Sequence, residues 1–257
     1  MKPQFTLLAL LGAALVNAPA AIVTYDWNNG FADSGLVPGD GSGWWDIRTP
    51  SGLTGTIVGL QIRLNLTENP IEENNGDLYA YLSHGSTLVV LLNRVGRTAL
   101  NEDGYLDGGF NVTLTDTAAT DVHSYGGNGG NPVTGSYQPD GRNLDPTSSA
   151  AVFDAAIRQN GGHPLALFTG LDPNGNWTLF LSDYGAIGQS TLASWGMTLD
   201  LDEPPSTAAP EPNQLAMAAM VTLAGAGFAL RQRPRRPRRF PSFLSSHRSV
   251  EDRSRHG

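Results

Sequence analysis

The chain has 257 residues, 24 acidic against 16 basic, and no cysteine. Residues 21–209 carry six arginines, no lysine and 21 acids, a formal charge near −15, which makes nucleic acid an unsuitable partner. Without thiols there are no disulfides, no thiol catalysis and no zinc–thiolate site, so the fold must rest on apolar burial, helped at most by a metal ion.

Lys2, the apolar run from Phe5 to Val16 and the small-x-small Ala18-Pro19-Ala20 read as a signal peptide over residues 1–20, cut by a signal peptidase after Ala20. The remainder up to residue 203 is long enough for one domain. Leu60, Ile62, Leu64 and Leu66 alternate with polar neighbours, the period of a half-buried strand. Leu78, Ala80 and Leu82 repeat that pattern around Tyr79 and Tyr81, and Leu88 to Leu92 reads as a strand buried on both faces, with a turn at His84-Gly85-Ser86 between them. Phe110, Val112 and Leu114, then Trp177, Leu179 and Leu181, then Trp195, Met197, Leu199 and Leu201 alternate again. Only Ser149 to Ile157 reads as helical, and residues 115–144 show no period, so they form either a mobile excursion or a binding loop. Many short strands separated by Gly, Pro, Asn and Asp predict an all-β chain, a single antiparallel β-sandwich.

Candidate chemistry is sparse. His84, His123, His163 and Ser86 supply triad residue types, but no Gly-x-Ser-x-Gly elbow accompanies them. Glu72-Glu73, Glu102-Asp103 and Asp107 are the carboxylates that glycosidic acid–base work would draw on, though nothing in the sequence brings them across a cleft. Calcium suits the acid-rich turns better, with Asp77, Asp103, Asp107 and Asp183 as the ligand positions. Asp172 to Asn176 fails the calcium-loop spacing of an EF-hand, and Gly126 to Gly130 lacks the Lys and helix of a phosphate loop. Trp44, Trp45, Tyr79 and Tyr81 would suit a sugar platform, whereas Trp177 and Trp195, in phase with apolar positions, read as core.

Several segments together resemble a known module. Pro38-Gly39-Asp40-Gly41-Ser42-Gly43-Trp44 with Ile47-Arg48-Thr49, then Gly76-Asp77-Leu78 with Val89 to Leu92, then Gly175-Asn176-Trp177-Thr178-Leu179 with Asp183 and Trp195, are similar in type and order to the P domain, or P/Homo B domain. The resemblance spans about residues 22–202 and implies a jelly-roll-like β-sandwich, which in proprotein convertases and bacterial subtilisin-like proteases sits beside the protease.

The carboxy-terminal end resembles a PEP-CTERM sorting signal, residues 210–239 after a linker at 204–209. It has Pro210-Glu211-Pro212, an apolar run from Leu215 to Leu230, and an arginine cluster that includes Arg231, Arg233, Arg235 and Arg236. A helix over that run would be roughly 24 Å long, a little short of a bilayer core that snorkelling arginines help to span. The arginines would stay cytoplasmic and the sandwich would lie outside. The resemblance implies a bacterial setting, an exosortase-type sorting enzyme as partner, the inner membrane as an intermediate station, and the cell surface or extracellular matrix as destination. Residues 240–257 read as a disordered tail. These readings describe an exported, noncatalytic surface or matrix protein whose sandwich is structural or binds a ligand, exopolysaccharide being the candidate. The alternatives are a carboxylate-dependent hydrolase of exopolymer and a detached accessory domain of a subtilisin-like protease.

Overall fold

The computed structural model describes residues 21–69, 73–185 and 188–202. The expected signal peptide at residues 1–20, Pro210-Glu211-Pro212, the apolar run, the arginine cluster and residues 240–257 lie outside the described residues, among which no helix is long and apolar enough to cross a membrane.

Among the described residues, nine strands form two sheets. They are β1 (Ala21–Trp27), β2 (Trp44–Arg48), β3 (Thr56–Asn69), β4 (Leu78–His84), β5 (Thr87–Asn93), β6 (Phe110–Leu114), β7 (Val133–Tyr137), β8 (Trp177–Asp183) and β9 (Gln189–Asp202). One sheet has the order β1-β9-β3-β6-β7 and the other β2-β8-β4-β5. The described residues are therefore all-β, as their alternating runs predict, and the two sheets share one core. Ile62, Leu64, Met197 and Leu199 from the first, with Leu82, Trp177, Leu179 and Leu181 from the second, are all essentially excluded from solvent. Burial of each such aliphatic side chain is worth about 1.5–3 kcal/mol. One polar tie crosses this core, where the Trp195 indole N–H donates to the Asp46 carboxylate at 2.7 Å.

Three features depart from the sequence reading. β1 and β2 carry little of the signal used for the other strands, because the alternation in β1 ends half-buried rather than buried. The arrangement is not wholly antiparallel, since β7 runs parallel to β6. This strand falls in the stretch without period, and only Val133 of its five residues is buried, so it shows no apolar alternation to read. The helix α1 is reduced to Ala150–Asp154. It belongs to a long excursion that covers the free edge of β5. The Gln159 side chain accepts from the Val90 N–H at 2.9 Å and donates to the Leu88 carbonyl at 2.8 Å, while the Asp140 and Gly141 N–H groups donate to Leu91 and Val90. That cover protects a sheet edge and explains why Val89 to Leu92 are all fully buried.

Candidate functional site

Two places have chemistry that the core does not require. The first lies where β8 ends beside the turn leading into β4. Register pairs Leu78 with Asp183, which brings Asp77 and Asp183 side by side. Gly185 then passes so close that a Cβ there would lie 2.7 Å from Asp77 Oδ2 and 3.2 Å from Asp183 Oδ1. Glu73 joins them from the loop after β3. It is 1% exposed, and neither of its carboxylate oxygens, nor Asp183 Oδ2, has a hydrogen-bond partner among the described residues. Burial, then the charge of Asp183, pushes the Glu73 carboxyl up to about 9. Burial likewise pushes Asp183 up to about 6, although the Gly185 N–H bond at 2.7 Å pulls the other way. Burial also raises Asp77, against the Arg94 guanidinium bound to its Oδ1 at 3.0 Å. Arg94 stands in the left-handed backbone region at φ 49°, a conformation that costs a non-glycine residue of order 1 kcal/mol. Its guanidinium is spent on the Gly76 carbonyl and Asp77.

The second place is the outer face of the four-stranded sheet. Strand alternation sends Trp44 into the core and leaves Trp45 58% exposed. Pairing aligns Trp45 with Phe180 and Phe180 with Tyr81, so three aromatic residues form a row across β2, β8 and β4. Tyr81 stacks on Phe180 with ring centroids 4.6 Å apart and planes 7° apart, and Tyr79 meets Phe180 edge-on at 6.2 Å. Gly43 makes room, because a Cβ there would run into the Phe180 ring. Two residues further along the same strands, Ser83 and Thr178 line a cavity of about 750 Å³ together with Ser86, Thr87 and Asn176.

His84, Ser86 and Asp172 meet in this cavity, so the residue types of a triad are present. The geometry gives them another task. One His84 ring nitrogen lies 2.9 Å from the Asn176 carbonyl and the other 2.7 Å from the Asp172 carbonyl, while the ring stacks on Trp177 at 4.2 Å. Neither nitrogen faces a serine hydroxyl. His123 is similarly engaged, between the Asp140 carboxylate at 2.7 Å and the Arg97 carbonyl at 3.1 Å, and His163 is exposed.

Of the calcium positions read from the sequence, Asp77 and Asp183 are brought together, and Asp103 is exposed in a loop whose backbone packs on Gly76. Asp107 serves elsewhere. Its Oδ2 accepts from the Tyr125 hydroxyl and the Asn128 N–H, both at 2.8 Å, and its Oδ1 accepts from the Gly130 N–H at 2.7 Å, so it anchors the glycine-rich loop 126–130. Among the described residues, no three Asp, Glu or His side chains are arranged to hold a metal ion by themselves. Of the acid–base candidates, Glu72 lies outside the described residues and Glu102 is exposed. Phe180 was not singled out from the sequence, yet its outward phase is readable there, opposite to Trp177, Leu179 and Leu181.

No family model matches the chain, and no curated protein matches it. Among solved structures, a serine protease of Aeromonas sobria aligns at a TM-score of 0.36 and 12% identity, over 71% of this chain and 27% of that one.

Proposed function

We propose that this is an exported, surface- or matrix-retained protein whose noncatalytic β-sandwich binds a neutral polysaccharide across the outer face of its four-stranded sheet. One observation carries the reading: an aromatic row headed by the open Trp45 runs beside a cavity lined by hydroxyl and amide side chains. Sugars present apolar faces that stack on aromatic rings and hydroxyls that hydrogen-bond to such groups. The acidic balance of residues 21–209 disfavours an acidic glycan and leaves a neutral one. The engaged histidine rings support a binding role over a hydrolytic one. Export and sorting rest on the sequence, on residues 1–20 and on Pro210-Glu211-Pro212 with Arg231, Arg233, Arg235 and Arg236.

Affinity electrophoresis in gels containing soluble neutral glucans or alginate tests the binding. Retardation by a neutral glucan that disappears in Trp45→Ala is the expected result, and equal migration in every gel overturns it. Mass spectrometry of both protein ends in each cell fraction tests delivery, the intact chain in the cytosol being the result that overturns it.

A further inference from the structure

We propose that Glu73 and Asp183 are paired carboxylate ligands of a divalent-cation site, with calcium as the ion their oxygens fit best. The inference is independent of the polysaccharide reading. It starts from hydrogen bonds that are absent where they would be expected. Buried polar groups are almost always partnered, yet three carboxylate oxygens here complete no hydrogen bond among the described residues, two on Glu73 and one on Asp183, although the Asn74 N–H lies near Glu73. Both side chains are at least 99% buried.

The remaining lone pairs show that Asp183 is held in place for a ligand rather than merely crowded. Its main-chain carbonyl accepts from the Gly41 N–H at 2.7 Å and its Oδ1 from the Gly185 N–H at 2.7 Å, so Oδ2 alone is left pointing free. Asp77 Oδ2 stands on the flank with one long contact, 3.4 Å from the Asn74 amide. The charged groups facing the pair are Asp77 and Arg94, while Asp103 and Arg97 act on Asp77. Arg94 opposes a cation but already neutralises Asp77, and the two free carboxylates exceed what it balances. Two carboxylates with water completing the shell suit a hard ion that takes six to eight oxygens and tolerates irregular geometry. Without the ion, one proton bridging Glu73 and Asp183 is the other way to relieve two adjacent buried charges.

Calcium is titrated calorimetrically into the full chain in detergent near pH 8. The expected result is one site per chain. Glu73→Gln and Asp183→Asn are each expected to remove the binding. Glu73→Gln should fold, because its amide can donate to Asp183 as the protonated acid would, and its near-ultraviolet circular dichroism checks this. No binding by the unsubstituted chain up to about 10 mM calcium, well above the weakest extracellular sites, overturns the proposal. So does wild-type affinity in folded Glu73→Gln. If that variant does not fold, wild-type affinity in folded Asp183→Asn overturns it equally.

Discussion

Two acidic groups are buried to the same degree in this sandwich and meet opposite fates. Asp140, fully excluded from water, accepts from His123, the Asn93 N–H and Arg142. Burial opposes its ionisation, but His123 and Arg142 outweigh that and hold its carboxyl below the usual carboxylate range. Glu73 is equally buried, lacks such donors, and is pushed up to about 9. Burial alone therefore does not mark a functional group. What distinguishes the two is whether the protein itself completes the hydrogen bonds: Asp140 knits the cover of β5 to the sheet, and Glu73 leaves its oxygens for something else.

The contrast breaks most directly at Asp140. Removing one partner of a buried ionic network strands the others, which typically costs about 3–5 kcal/mol. Asp140→Ala is expected to lose stability of that order in urea denaturation, since His123 Nδ1 and the Asn93 N–H lose their acceptor and Arg142 keeps only Asp121 as its carboxylate partner. A cost under about 1 kcal/mol, the range of an exposed pair, would mean that the network is not holding the cover in place.

Next in size is the pH dependence at Glu73. Its folded carboxyl, raised from 4.5 to about 9, keeps a proton that the unfolded chain releases near 4.5. Between those values the folded state binds more protons, so the stabilisation is complete below pH 4.5 and is lost as pH rises towards 9. Asp183 adds a loss of the same sign up to about pH 6. Asp140, shifted downward, works the other way and loses its contribution as pH falls through its lowered folded value. In chelator-containing buffer the melting temperature should fall from pH 6 to 9, and Glu73→Gln, which has no proton to lose, should flatten that fall. Parallel curves for the two proteins would show that Glu73 titrates as an ordinary surface acid.

How much of this was legible beforehand follows from which side chains do the work. The cores of β3, β4, β6, β8 and β9 were readable because one face of each presents an apolar side chain at every second residue over most of its length. β7 was not, because pairing with β6 holds it rather than burial of its own side chains. At the acidic site, Asp77 and Asp183 could be named because both sit at strand ends, whereas Glu73 beside Glu72 reads as part of a solvated loop. Its burial is set by long-range packing that no local pattern encodes. Asp140 was invisible for the same reason: its partners lie 17 and 47 residues away for His123 and Asn93. The aromatic row was half legible, with Trp45, Tyr79 and Tyr81 in view. Trp44 was included with them only because parity within β2 could not be assigned without knowing its partner strand.

The smallest effect on stability should come from the surface proposed to bind. Trp45 is more than half exposed, and its ring joins none of the close aromatic pairs formed by Phe180, Tyr79 and Tyr81. Surface substitutions away from networks usually stay within about 0.5 kcal/mol, so Trp45→Ala should melt with the unsubstituted chain while losing its retardation in glucan gels. Tyr81→Ala should behave differently, since it removes the partner stacked on Phe180 and disturbs a pair worth about 0.5–1.5 kcal/mol beyond its burial. Loss of both stability and retention at Tyr81, but of retention alone at Trp45, is the pattern a preformed platform requires. If Trp45→Ala instead lowers stability as much as Tyr81→Ala does, the open indole is a packing element of the sheet, and the outer face loses its claim to a ligand.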